Sequence, residues 1–132
     1  MLGVVTGGKN EECAILVIED DEDVRLAMVA ILEMRGYSVA SAENGKVAME
    51  YLRASPIPDL IITDLSMPVM DGRQFRREQV KDARLANVPL LVITALNDRN
   101  GIDANEILRK PVDVDRLLAT VSRYCEPEPN PR

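Results

Sequence analysis

The 132-residue chain has no histidine, no tryptophan, one phenylalanine and two cysteines. Without histidine, any mechanism built on a catalytic imidazole is excluded, and so is a zinc site of the common Cys/His type. The two cysteines, Cys13 and Cys125, form no C-x-x-C pair. Aromatic residues make up 3% of the chain, too few for a platform that stacks nucleic-acid bases. The net charge of −6 and a pI near 4.7 argue against a broad electrostatic footprint for DNA, RNA or anionic lipid. No apolar run reaches membrane-spanning length. The opening stretch MLGVVTGGKNEE lacks the basic start and apolar stretch of a secretion signal. These absences point to the cytoplasm, to no direct nucleic-acid or membrane partner, and to thiols that stay reduced.

What is present suits a globular domain: 46% hydrophobic and 29% charged residues, on a chain long enough for one core and too short for two. Residues 1–12 read as a flexible lead-in, and residues 126–132, EPEPNPR, as a disordered Pro-rich tail. Residues 13–125 alternate between strand and helix patterns. CAILVIE (13–19), DLIITD (59–64) and PLLVITA (89–95) are short apolar runs of the kind buried on both faces of a parallel sheet. YSVASA (37–42) is a more polar strand suited to an edge, and EILRK (106–110) is a short fifth strand. Helical spacing of apolar residues appears over 22–35, 45–54, 72–86 and about 113–125, with Asp113 as an N-cap for the last. This alternation predicts a doubly wound α/β fold, flavodoxin-like, with a five-stranded parallel sheet in the order 2-1-3-4-5. Ligands in such sheets bind beyond the carboxyl ends of the strands. Cys13 and Cys125 both fall near the opposite edge, where they could be close; they are read as packed thiols.

Chemistry gathers at the carboxyl ends. The first strand ends in Glu19, Asp20 and Asp21, the third in Asp64, the fourth in Thr94 and Ala95, and the fifth in Lys110 and Pro111. Clustered carboxylates repel and need a proton or a cation. Hard oxygen donors with room for water suit Mg²⁺, with Mn²⁺ as the alternative. A carboxylate can also attack phosphorus to form an acyl phosphate, with a metal ion and a lysine stabilising the phosphoryl oxygens. Each element alone has a plain structural role: Asp21 as a helix cap, Lys110 as a solvated loop residue, Thr94 as a β-former. Together they converge on one sheet edge, which the separate roles do not explain.

Four segments, ILVIEDDEDVR, IITDLSMPVMDG, VITA and RKPVD, resemble the receiver domain of two-component response regulators. The resemblance covers about residues 13–125. It implies a phosphoacceptor at Asp64 and metal ligation by Asp20, by Glu19 through metal-bound water, by Asp64 and by the main-chain carbonyl of Ser66. It implies phosphoryl-binding and switch roles for Lys110 and Thr94, a helix start at Asp21, and a site-shaping loop through Met67-Pro68 and Asp71-Gly72, with Ala95 and Pro111 flanking the site. The implied function is that of a stand-alone receiver in a phosphorelay. It would take a phosphoryl group from a histidine kinase or His-containing phosphotransfer protein and signal to a downstream protein by contact; catalysis would extend only to its own phosphorylation and slow dephosphorylation.

The chain departs from the family pattern in three places. Ile107 occupies the position of a frequent aromatic switch residue, and Leu96 a position that is often polar and influences the attacking water. Fifteen residues separate Thr94 from Lys110, several fewer than usual. The turn-rich segment ALNDRNGIDANE therefore predicts a fourth helix that is absent or cut to about one turn. Two other readings compete. A phosphorylation-independent adaptor would not need the intact acidic pair, Thr94 and Lys110. A hydrolase of the haloacid dehalogenase type would need a second aspartate where Ser66 stands. Arg73, Arg76, Arg77, Lys81 and Arg84 read as a solvated basic face on the third helix rather than a docking surface.

Overall fold

The computed structural model describes residues 13–95 and 102–125. The expected flexible segments 1–12 and 126–132 lie outside the described residues, as does Leu96. The apolar runs become strands β1 (Ala14–Ile18), β2 (Ser38–Ala42), β3 (Leu60–Asp64), β4 (Leu90–Thr94) and β5 (Glu106–Arg109), interleaved with helices α1 (Glu22–Met34), α2 (Gly45–Arg53), α3 (Gly72–Lys81) and α4 (Val114–Cys125). The five strands form one parallel sheet in the order β2-β1-β3-β4-β5, as the sequence predicts. The central strands β3 and β4 are buried along their whole length, which is why they read as unbroken apolar runs.

Alternation along each strand sends side chains to two cores. Ile15, Val17, Leu60, Ile62, Leu91 and Ile93 pack with Met28 and Leu32 of α1 and Leu117, Leu118 and Val121 of α4. Leu16, Ile18, Ile61, Leu90 and Val92 pack on the other face with Ala48, Met49 and Leu52 of α2 and Phe75 of α3. Helix starts are set by side-chain caps. Asp21 accepts from Val24 N–H, Asn44 from Val47 N–H, and Asp71 from Gln74 N–H, whose side chain bonds back to Asp71 N–H. Asp113 accepts from Asp115 N–H at 3.0 Å, the N-cap role expected of it.

Two expectations need correction. The third helix was expected to run to residue 86 but stops at Lys81, because Asp82 turns extended (φ −97°, ψ 110°). Its carboxylate then accepts from Arg84 N–H, while the fully buried Gln79 amide donates to the carbonyls of Leu85 and Val88. Side-chain capping outcompetes further helical turns. Of the expected solvated basic face, Arg77, Lys81 and Arg84 are exposed and Arg73 and Arg76 half-buried. Arg84 donates to the carbonyls of Leu52 and Ser55 beyond α2, and Arg76 donates to Gln79 Oε1 at 2.9 Å. The second correction concerns the thiols. Cys13 and Cys125 are joined by a disulfide, with their Cα atoms 5.5 Å apart. Helix α4 runs back against the strand direction, so its last residue returns to the edge where β1 begins.

Between β4 and β5 no helix occurs among the described residues. Ala95 and residues 102–105 are not helical. The six residues between them are fewer than the roughly 11 that three turns require. The crossover closes on Asn105, whose backbone N–H donates to Leu90 O and whose side chain accepts from Leu90 N–H.

Candidate functional site

Strands β1, β3, β4 and β5 deliver their last residues to one edge of the sheet. The register pairs Ile18 with Thr63, Asp64 with Ile93, and Thr94 with Arg109, so Glu19 and Asp20 follow β1 directly beside the end of β3. One carboxylate oxygen from each of Glu19, Asp20 and Asp64 lies within 4.8 Å of the other two. Glu19 is 4% exposed and Asp64 8%; Asp20 faces solvent. Lys110, just past β5, places its Nζ 2.8 Å from Asp64 Oδ2 and 3.9 Å from Glu19 Oε1.

One ammonium does not balance three carboxylates. Burial raises the pKa of Glu19 from 4.5 to about 6; the hydrogen bond from Asp21 N–H and the charge of Lys110 oppose the rise, and the charge of Asp64 and the side chain of Asp20 add to it. For Lys110, burial pulls the pKa down. The hydrogen bond and charge of Asp64, with the charges of Glu19 and Asp20, more than offset this, so the net direction is up. A group of hard oxygen donors that holds excess negative charge fits Mg²⁺.

The backbone around Asp64 is held by the loop that follows. Ser66 N–H donates to Asp64 Oδ1 at 3.3 Å, and Gly72 N–H donates to Leu65 O at 2.9 Å. A Cβ on Gly72 would sit 2.7 Å from Asp64 O, so only glycine allows α3 to start this close to the end of β3. Pro68 is exposed within the same loop. Thr94 is buried at the end of β4, and its carbonyl accepts from Lys110 N–H at 2.9 Å. Ala95 and Pro111 are exposed at the same edge, and the Lys110–Pro111 peptide bond is cis. The structure thus gathers Glu19, Asp20, Asp64, Ser66 and Lys110 into direct contact or near contact, with Thr94 linked through the backbone.

Three supporting residues escaped the sequence reading. Arg25 Nη1 donates to Glu19 O at 2.9 Å, tying the acidic turn to α1; its position one helical turn after Asp21 was the available signal. Gly45 N–H donates to Met70 O at 3.1 Å, and a Cβ at Gly45 would meet Met70 Cγ at 2.8 Å, so the start of α2 clamps the Asp64 loop. Val69, 71% exposed, has φ 70° while Met70 N–H reaches Pro68 O at 2.7 Å. A β-branched residue gives no sequence hint of such a turn.

Comparison with known proteins agrees with this geometry. Protein PilH of Pseudomonas aeruginosa is 32% identical over 116 residues, covering 82% of this chain and 93% of PilH. The DNA-binding dual master transcriptional regulator RpaA of Synechocystis is 37% identical over 113 residues, covering 81% of this chain but 46% of RpaA; the chain spans about half the length of such longer relatives. The crystal structure of response regulator protein TrrA from Thermotoga maritima, in complex with Mg²⁺-BeF, superposes with a TM-score of 0.75 at 26% identity, covering 85% of this chain and 98% of that one. The family model described as the response regulator receiver domain matches residues 15–122, and the chain belongs to that family.

Proposed function

We propose that this chain accepts a phosphoryl group on Asp64 from the phosphohistidine of a histidine kinase or His-containing phosphotransfer protein, in a Mg²⁺-dependent reaction, and passes the signal on by protein contact. The observation that carries the reading is the pairing of Asp64 with Lys110 at 2.8 Å inside a cluster of three carboxylates. Glu19, Asp20, Asp64 and the carbonyl of Ser66 would hold the cation, which supplies charge stabilisation for the phosphoryl oxygens. A carboxylate oxygen of Asp64 attacks phosphorus as the phosphorus–nitrogen bond of the donor breaks, and the imidazole leaves with that electron pair. Lys110 holds Asp64 before transfer and supplies an ammonium to the phosphoryl oxygens afterwards. Thr94, at the neighbouring strand end, donates its hydroxyl to the same group. Hydrolysis of the acyl phosphate returns the site to its starting state. The partners are a phosphodonor protein and a downstream protein, with no direct contact to nucleic acid or membrane; among the described residues no helix is long and apolar enough to cross a membrane. The compartment proposed is the cytoplasm.

Incubation with acetyl phosphate and Mg²⁺ tests the chemistry. Intact-mass analysis should show one added phosphoryl group that is lost on treatment with hydroxylamine. A chain that stays unmodified while still binding its partner would instead be an adaptor that signals without phosphorylation.

A further inference from the structure

Cys13 and Cys125 are the only cysteines in the sequence. They stand 112 residues apart, and the fold brings their Cα atoms to 5.5 Å, inside the range a disulfide requires. We propose that the Cys13–Cys125 bond is a reversible redox lock that fastens the C-terminal helix to the first strand. The lock is independent of the reading of Asp64.

The two halves of the bond are held differently. Cys13 is anchored from both sides of its peptide: its carbonyl accepts from Ser38 N–H at 3.0 Å, and the next N–H, on Ala14, donates to the Asp59 carboxylate at 2.8 Å. Cys125 is the last residue of α4. Its final turn is tied to the sheet by two contacts to one residue, with Arg123 Nη2 3.1 Å and Tyr124 Oη 3.0 Å from Glu106 Oε2. Both sulfur-bearing residues are about 95% buried, at 4% and 5% exposure, in the core that also holds Met28, Leu32 and Val121. A reagent therefore reaches the bond only when the last turn of α4 lifts. Helix ends open at far lower cost than the whole domain, so exchange can proceed from the folded state.

The elements joined are also those that carry the site at their other ends. β1 runs directly into Glu19 and Asp20, and α4 begins four residues after Lys110. Closing the lock fixes both elements at the far edge of the sheet. The reacting partners are a disulfide as oxidant and a dithiol as reductant. On closing, one cysteine thiolate attacks the oxidant's disulfide to form a mixed disulfide, and the second cysteine displaces the remaining thiol. Two electrons pass to the oxidant, whose sulfurs take up the two thiol protons. Reduction by a dithiol reverses each step.

The test uses the full chain, equilibrated with oxidised glutathione or with dithiothreitol, then denatured and alkylated. The oxidised sample should take up no alkyl group and the reduced sample two. Reduction should lower the melting temperature by on the order of 10 °C and speed hydrogen exchange in the last two turns of α4 at least tenfold, leaving β3 less affected. Cys13→Ser and Cys125→Ser should each match the reduced protein and ignore dithiothreitol. Glu106→Ala, which removes both contacts to the last turn, should speed reduction of the folded protein by about 5- to 10-fold. Two alkylated thiols after incubation with oxidised glutathione would overturn the proposal, as would coincident melting curves for the two forms or a reduction rate unchanged by Glu106→Ala.

Discussion

Replacing Glu19 with glutamine isolates the electrostatic cost of the acidic cluster. Glutamine keeps the shape of the side chain and an oxygen for the Asp21 N–H bond, but carries no charge. In the folded, metal-free protein Glu19 holds its proton up to about pH 6, against an ordinary value of 4.5. That interval corresponds to about 2 kcal/mol, at 1.36 kcal/mol per tenfold change in proton affinity. Because the folded state binds this proton more tightly than the unfolded chain, the associated stability is complete below pH 4.5 and is lost as pH rises through about 6. At pH 4 the wild type and Glu19→Gln should therefore be nearly equal in stability. At pH 7.5 without metal the variant should be more stable by about 2 kcal/mol. Urea unfolding in the presence of a chelator, every half unit from pH 4 to 7.5, gives the difference curve directly; other titrating groups largely cancel. Mg²⁺ should narrow this gap at pH 7.5. The wild type should gain about 2.7 kcal/mol at a hundred times its dissociation constant, and the variant should gain less at the same concentration. A difference that stays flat across the pH range, or a variant that Mg²⁺ stabilises as strongly as the wild type, would falsify this account of the cluster.

Asp64→Asn should abolish incorporation of phosphate from acetyl phosphate, because an amide cannot form the acyl phosphate, while Lys110→Ala should leave slow labelling; mass spectrometry of timed samples reads both. Gly72→Ala should force the Asp64 main chain to move, since the new Cβ would lie 2.7 Å from Asp64 O. We expect a loss of about 1–3 kcal/mol in denaturant unfolding and slower phosphorylation than in wild type. Val69→Gly should relieve a φ of 70° and raise the unfolding free energy by about 1 kcal/mol. A lower midpoint for Val69→Gly would show that the turn is not strained.

The fold was legible because its signals are redundant. β3 and β4 are buried throughout, so both faces of each strand had to be apolar, and β2 announced itself as an edge by its serines. The acidic edge was legible for a related reason. A parallel sheet puts every strand's carboxyl end on the same side, so reading where each run stops also reads where its polar residue lands. The distances were not legible. Whether Lys110 meets Asp64 depends on a one-residue register between β4 and β5, and nothing in RKP states that register.

Other features were hidden by competition between local and distant partners. The pattern of α3 continues past Lys81, and only the burial of Gln79, with two carbonyls to satisfy beyond the helix, shows why the chain turns there. Gly45 next to Asn44 reads as ordinary cap and turn chemistry; the backbone of Met70 pressing on it comes from 25 residues away. For the cysteines the topology already placed both at one edge of the sheet. The expected compartment argued for separate thiols, and that inference about surroundings outweighed a correct inference about distance.

Between β4 and β5, Ala95 and residues 102–105 are not helical, and Asn105 ties the start of β5 to Leu90. Thr94 and Ile107 then line a cavity of about 420 Å³ that also touches Ala104, Asn105 and Arg109. Ile107, partly buried against the α2–α3 core, has no hydroxyl or ring edge to trade contacts between core and solvent. On the proposed phosphorylation of Asp64, a response that draws on Thr94 would travel by another path. The backbone offers one: Lys110 N–H is bonded to Thr94 O while Lys110 Nζ is bonded to Asp64. Lys110 is thus the residue that both meets Asp64 and closes the β4–β5 ladder. Strand β5 sits at the edge of the sheet with β4 as its only strand neighbour among the described residues, and its Glu106 carboxylate is bonded to Arg123 and Tyr124 of α4, so a shift of β5 would carry to the C-terminal helix.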